Sequence, residues 1–499
     1  MADKFMTERL EKIKAWEELG FEAYAKKFDR THTSKAAREF CEKNKDKLRD
    51  AKTIMEGPES VAKMCGRIVN FRTMGKLAFL RITDIDGNFQ ICLTKNVLGD
   101  LFKKAEKIFD LGDFVGFEGE FFITNHGEPT LLVKSYTPLA KSLRPMPEKW
   151  AGLSNKEACY RERNIDLMSN RETLDRFILR SKMIREIREF FYEKNFLEVE
   201  TPILQAQAGG AMAKVFETHH NALDHDFVLR IALELDLKRA VGGGMERIFE
   251  IGKNFRNEGS DPSHLQEFTM CEWYAAYEDL EKNKEWTEEL FHRLCENVFQ
   301  KEVFTVVDTE GNETEINFAG KFAEKRFPDL LKEFAGIDMF TATDEEVYQK
   351  AKDLGVEKLK GVSRANLLDD IYKKTAREKL IQPTFVFDYP EDLKPLARPN
   401  GDGTASCFQL VVNGWEIVNS YGELIDPRVQ RKLLEAQARA KAGGDEEAMD
   451  IDEVFLKAME HGFPPMTGSG FGIDRLMAIF TGQPNLRDVV LFPTMRPQN

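Results

Sequence analysis

A chain of 499 residues has room for about three domains at ~150 residues each, and 42% hydrophobic with 31% charged residues suits a globular protein with a full core. No uninterrupted apolar run approaches the ~18–20 residues of a membrane span, the charged start MADKFMTERLEKIKAWEELG has no apolar signal region, and the seven cysteines include no CxxC pair. Export, a disulfide framework and structural zinc are therefore not expected, and a reducing cytoplasm is. The net charge is −13, but residues 1–150 carry +4 and the remainder −17, so a polyanion is drawn to the front third alone.

In chain order, the first elements are helical. Leu10, Ile13, Trp16 and Leu19, then Ala36 and Phe40, keep helical spacing on either side of the turn-rich FDRTHTS. Such amphipathic helices either dock on their own domain or form an extension, and spacing does not choose between the two. From Ser60 to about Leu143 the pattern changes to five short β runs: VAKMCGRIVNFR, LAFLRITD, NFQICLT, DFVGFEGEFFIT and PTLLVKSYTPL. A helical run near Leu98–Ile108 interrupts the series after the third. Five strands with a helix in that place describe an OB barrel, whose open face binds single-stranded nucleic acid through a basic groove and stacked aromatic rings. Lys76, Phe79, Arg81 and Gln90 fall on its second and third strands, and Glu128 near its last.

Leu143–Arg144–Pro145–Met146–Pro147, with two prolines in three residues, reads as a linker. Thr173–Asn195 is expected as an amphipathic helix with Phe177, Ile178, Met183, Ile184, Ile187, Phe190 and Phe191 on its apolar face. FLEVETPIL (Phe196–Leu204) follows as a strand. Ile248–Tyr277 reads as two strands joined by a polar loop: Phe249, Ile251 and Phe255 share one parity before it, and Phe268, Met270, Glu272 and Tyr274 share one after it. About 280–379 is a mixed helical insert in which no chemistry is expected, and LIQPTFVFDYP (Leu380–Pro390) returns to strand character. Ile417, Asn419, Tyr421 and Glu423 share strand parity, so the last three can line one pocket wall. The fold class is α+β, a barrel followed by an antiparallel sheet flanked by helices. With no GxGxxG and no GxxxxGK[ST], a bound nucleotide must be held in another way.

FRNEG followed by EFTMCEWY resembles the second signature motif of the class II aminoacyl-tRNA synthetases. FLEVETPIL and GSGFGIDRLMAIF (Gly468–Phe480) resemble the other two, in the right order. THHNALD (Thr218–Asp224) and NSYGEL (Asn419–Leu424) narrow the resemblance to the lysyl-tRNA synthetases, over nearly the whole chain. It implies an N-terminal helical extension at 1–59, an OB-fold anticodon-binding domain at 60–143, a linker and hinge at 144–170, and a class II catalytic domain at 171–499. It also implies a ligase that activates L-lysine with ATP and Mg²⁺, transfers the lysyl group to tRNA(Lys), and works as a homodimer through the 173–204 helix and strand.

Site residues carry over one by one. Arg256 matches the arginine bridging substrate carboxylate and α-phosphate, Arg475 the arginine on the γ-phosphate side, Phe268 the adenine-stacking ring, and Glu258 and His264 loop positions on ATP. Gly210 and Glu234 match the positions holding the α-amino group of lysine, and Asn419 lies with Arg256 near its carboxylate. Glu272, Tyr274 and Glu423 surround the ε-ammonium, with Tyr421 on the same wall. Phe79, Gln90 and Glu128 match anticodon-reading positions, suited to stacking a splayed base and reading its edge. Glu416 matches a metal-binding carboxylate, but the position of its usual partner holds Gln409, which can offer a carbonyl oxygen without the charge. Further departures are Leu233 and Asp236 beside Glu234, and Leu265–Gln266 after His264. An aspartyl- or asparaginyl-type synthetase would want a cationic pocket where this chain has Glu272 and Glu423. A non-catalytic RNA-binding relative would have no use for Arg256, Glu258 and Arg475.

Overall fold

The computed structural model describes residues 2–498 except 49–60, 147–154, 208, 212, 260, 309, 358, 360 and 443–449. Ser60 and Pro147, at the expected domain and linker borders, lie outside the described residues. The chain divides into two compact units, Met1–Ser154 with Met168–Arg171, and Asn155–Leu167 with Glu172–Asn499.

The first unit is built on a closed barrel of five strands, Val61–Met74, Leu77–Asp84, Gly87–Thr94, Phe114–Ile123 and Pro129–Ala140, in the order first, second, third, fifth, fourth. Alternation does the sorting: Ala62, Met64, Ile68, Leu80 and Ile82 point inward and are fully buried. The single expected helix between the third and fourth strands is two, Lys95–Leu98 and Asp100–Ile108. Gly99, at φ +56°, separates them. The front helices, Ala2–Glu18 and Ser34–Lys43, send Trp16, Ala37 and Cys41 into the barrel's own core. Docking on their own domain is therefore the arrangement they adopt.

The second unit carries an eight-stranded sheet in the order Ala323–Arg326, Thr384–Phe387, Cys407–Val412, Trp415–Gly422, Met466–Gly472, Glu267–Ala276, Arg247–Phe255, Leu197–Glu198. Its centre is antiparallel as expected, but the pair at each edge is parallel. Both edge pairs are joined through long connections containing helices, which return the chain to the starting end of the sheet. Asn413 and Gly414, both at positive φ, make the tight turn between two central strands. The strand expected over Phe196–Leu204 is only two short pieces, Leu197–Glu198 on the large sheet and Leu204–Gln205 against His225–Leu229. The helix Arg171–Glu193 buries Met183, Ile187, Phe190 and Phe191, while Phe177, Ile178 and Ile184 stay half-buried. Phe191 stacks on Phe249 at 4.8 Å and lies 5.2 Å from Trp273, joining this helix to the sheet.

Candidate active site

The second unit holds a cavity of about 1110 Å³ against the central strands. Strand register decides what lines it. Glu267–Ala276 contributes Met270, Glu272 and Tyr274. Across the ladder Gly470 lies opposite Glu272, and Gly468 opposite Tyr274. On its other side that glycine strand places Gly470 opposite Asn419 and Gly468 opposite Tyr421. A Cβ on Gly468 would stand 2.2 Å from the Tyr274 ring and 2.6 Å from Glu423 Oε1, and one on Gly470 2.9 Å from Glu272 Cγ. Bare backbone at these two positions keeps the pocket open.

One end of the cavity is acidic. Glu234 opens the helix Glu234–Gly242, Glu272 lies mid-strand, and Glu423 follows the strand Trp415–Gly422; all three are buried. A residue the sequence reading missed, Lys238, stands among them. Its Nζ lies 2.5 Å from Glu234 Oε1 and 2.5 Å from Glu423 Oε2. Burial works to lower this ammonium, but the two carboxylates outweigh it and hold it above its ordinary value. The i, i+4 spacing of Glu234 and Lys238 on one helix was the available signal. Glu272 accepts the Leu233 N–H and the Tyr274 hydroxyl, each at 3.3 Å. Burial, with Glu234 nearby, pushes the Glu272 carboxyl up to about 7. Burial likewise raises Glu423, against the opposing pull of Lys238, and its Oε1 has no hydrogen-bond partner. Three carboxylates face one resident ammonium, so the pocket has an unmet demand for a second cation. Gly210, at φ +83°, borders this end beside Glu234.

The other end is basic. Arg256 follows the strand Arg247–Phe255, donates from Nε to the Ile231 carbonyl at 3.3 Å, and sets its guanidinium 5.1 Å from the Phe268 ring centre. Phe268, half-buried, thus packs against the cavity-lining Arg256. Arg475 lies in the first turn of the helix Ile473–Phe480. It donates to the Glu416 carbonyl at 3.0 Å and, from Nη2, to His264 Nε2 at 3.3 Å. A guanidinium only donates, so His264 Nε2 accepts and its Nδ1 carries the proton given to Asp261 at 2.8 Å. Glu258 is exposed on the same rim.

Between the ends, Asn419 donates to the Tyr421 hydroxyl at 2.7 Å, and Gln409, opposite Asn419, accepts the Tyr389 hydroxyl at 2.7 Å. Glu416 reaches this wall because a bulge sets Ile417 outside the ladder, so Val411 pairs with Glu416; Ile417 itself goes into the hydrophobic core. Among the described residues no cluster of three or more His, Cys, Asp or Glu is suited to a metal ion. The insert corrects an expectation: Asn366, Asp369, Asp370 and Lys373 from the helix Arg364–Thr375, with Arg377, line the cavity. Lys394 also lines it.

In the barrel, Phe79 is half-buried in a small outer cluster with Cys92, Phe122 and Leu132. Two residues on, Arg81 lies opposite Gln90 and 3.6 Å from Glu128. Gln90 donates to Thr130 at 2.9 Å. Phe79, Gln90 and Glu128 therefore gather around Arg81 on one face.

Two family models match the chain: tRNA synthetases class II (D, K and N) over residues 155–496, and the OB-fold nucleic acid binding domain over 62–139. Among similar proteins, the lysine–tRNA ligase of Lactococcus lactis subsp. lactis (strain IL1403) is 43% identical over 98% of both chains. That of Carboxydothermus hydrogenoformans is also 43% identical over 98% of both. That of Aquifex aeolicus is 45% identical over 87% of this chain and 73% of its own. The chain belongs to the class II tRNA synthetases and, within them, to the lysine–tRNA ligase family.

Proposed function

We propose that the cavity joins L-lysine to ATP as lysyl-adenylate and passes the lysyl group to the 3′ end of tRNA(Lys). A lysine carboxylate oxygen bonds to the α-phosphorus as the bond from that phosphorus to the pyrophosphate oxygen breaks. The terminal ribose hydroxyl oxygen of the tRNA then bonds to the lysyl carbonyl carbon as that carbon's bond to the AMP phosphate oxygen breaks, releasing AMP and the hydroxyl proton. Such chemistry needs in-line positioning and charge neutralisation more than a nucleophile–base pair. Arg256 and Arg475 are the catalytic groups, suited as planar donors to carboxylate and phosphate. ATP lies along Arg256, Glu258, His264, Phe268 and Arg475. Glu272, Tyr274 and Glu423 take the ε-ammonium, Gly210 and Glu234 the α-ammonium, and Asn419 with Tyr421 the wall between. Phe79, Gln90 and Glu128 read the anticodon.

A magnesium ion would offset the charge of the ATP phosphates. Of its two expected protein ligands Glu416 alone is charged, and the Gln409 oxygen is engaged by Tyr389. A magnesium site built by the protein alone does not fit that wall. A homodimer is supported by exposed apolar residues in one short stretch, Tyr192, Leu197, Ile203 and Leu204; sedimentation of the full chain as a monomer at micromolar concentration contradicts it. No helix among the described residues is long and apolar enough to cross a membrane, and the proposed site of action is the cytoplasm.

The observation that carries this reading is the group of three buried carboxylates around one ammonium, in the same cavity as Arg256 and Arg475. ATP–pyrophosphate exchange across a panel of amino acids tests it. Lysine alone should support exchange; a response to aspartate or asparagine, or to none, overturns it.

A further inference from the structure

Lys394 is the second buried ammonium of the cavity, and its surroundings differ from those of Lys238. It follows the short turn Glu391–Leu393 and is 8% exposed. Its Nζ lies 3.4 Å from the Asn419 amide oxygen, 5.0 Å from the Tyr389 ring centre and 5.6 Å from that of Tyr421. Among the described residues it forms no ion pair within 4.0 Å. Glu416 and Asp369 act on it only from beyond that distance, and a buried ammonium with no carboxylate in contact is costly unless an anion joins it. The contacts it does have are long or are aromatic faces, which leave its N–H groups free to serve one.

The same wall carries Gln409 and Glu416. Gln409 pairs with Asn419 across the ladder and its oxygen is occupied by Tyr389, whose ring lies under Lys394. A divalent cation here would lack one charged ligand and meet a fixed positive charge close by. The two features are complementary: a negative charge is missing where a positive one is built in.

We propose that Lys394 is a catalytic residue that contacts the anions of adenylate formation, its ammonium standing where a divalent cation held by Gln409 and Glu416 would otherwise be needed. This rests on the lysine-activating reading of the cavity. When the lysine carboxylate attacks the α-phosphorus and pyrophosphate leaves, Lys394 neither gives nor takes a proton; it stays an ammonium and offsets the charge gathering on the carboxylate and phosphate oxygens.

Three full-length chains test this: native, Lys394→Met, and Lys394→Met with Gln409→Glu. Manganese serves as the probe, counted by electron paramagnetic resonance with a non-hydrolysable ATP analogue and lysine; lysine-dependent pyrophosphate exchange is followed against Mg²⁺, and thermal melting checks the fold. The native chain should bind one Mn²⁺ fewer per chain than the double variant. Lys394→Met should keep its melting temperature and lose roughly 10²-fold in exchange, and the double variant should regain about tenfold of that only at raised Mg²⁺. Equal Mn²⁺ counts in native and double variant overturn the proposal, as does Lys394→Met exchange within about threefold of native. A native chain without lysine-dependent exchange refutes the lysine-activating reading instead, and the Mn²⁺ counts still decide the role of Lys394.

Discussion

At 2.5 Å from both Glu234 and Glu423, the Lys238 ammonium cancels only one of the three negative charges in the acid pocket. Burial, with Glu234 close by, pushes the Glu272 carboxyl up to about 7 from an ordinary value of ~4.3. Below about pH 7 the protonated form is therefore the favoured one in the unliganded fold. An incoming ammonium prefers the ionised form, so lysine binding at neutral pH should release a proton, and the KM for lysine should rise as pH falls through about 7. Calorimetry in buffers of different ionisation enthalpy measures the release, and Glu272→Gln should reduce both it and the acid limb, leaving the share of Glu423, which burial raises as well. The same shift acts on folding with the opposite sense: the unfolded chain ionises first, so unliganded stability is lost as pH rises from ~4.3 toward 7. Glu423→Gln removes a charge-paired contact and should cost roughly 2–4 kcal/mol in lysine kcat/KM, read by pyrophosphate exchange. Unchanged exchange in that variant sinks the pocket assignment.

Among the elements, the strand Met466–Gly472 acts through what it lacks. Gly468 and Gly470 alternate onto the cavity face, and a methyl group at Gly468 would collide with Tyr274 and Glu423. Gly468→Ala should therefore raise the KM for lysine by roughly 10²-fold, the scale of a methylene misfit in a close-packed pocket. The KM for ATP should stay near native, because the arginines sit elsewhere in the cavity. Steady-state exchange with each substrate varied in turn separates the two; equal effects on both would mean a collapsed sheet instead of a filled pocket. The neighbouring strand shows the opposite device, an added residue. The bulge at Ile417 reverses parity for the residues before it and brings Glu416 to the cavity wall.

Across the whole molecule the two units divide the labour by charge and by chemistry. The front 150 residues carry +4 and the rest −17, so the polyanion is attracted to the part that bears the barrel. Phe79→Ala should weaken tRNA recognition in aminoacylation by ~1–3 kcal/mol, the value of one stacked base. It should leave tRNA-independent pyrophosphate exchange untouched. An equal loss in both assays would show that the ring supports the barrel's packing and not a base.

The local part of all this was legible in the residues. Period-two alternation marked the barrel strands, and one uninterrupted strand set Met270, Glu272 and Tyr274 on a shared face, as parity required. Three motif stretches were enough to name the family. Other features needed the fold. Lys238 meets Glu423 across 185 positions of sequence, the insert helix Arg364–Thr375 lends its polar face to the cavity, and Lys394 comes to lie beside Asn419 and over the Tyr389 ring. Side-chain direction follows from the backbone of a few adjacent residues, so sequence alone determined which face each group takes. Which faces then meet depends on packing between distant segments and on single insertions such as the Ile417 bulge, and only the tertiary structure decided that.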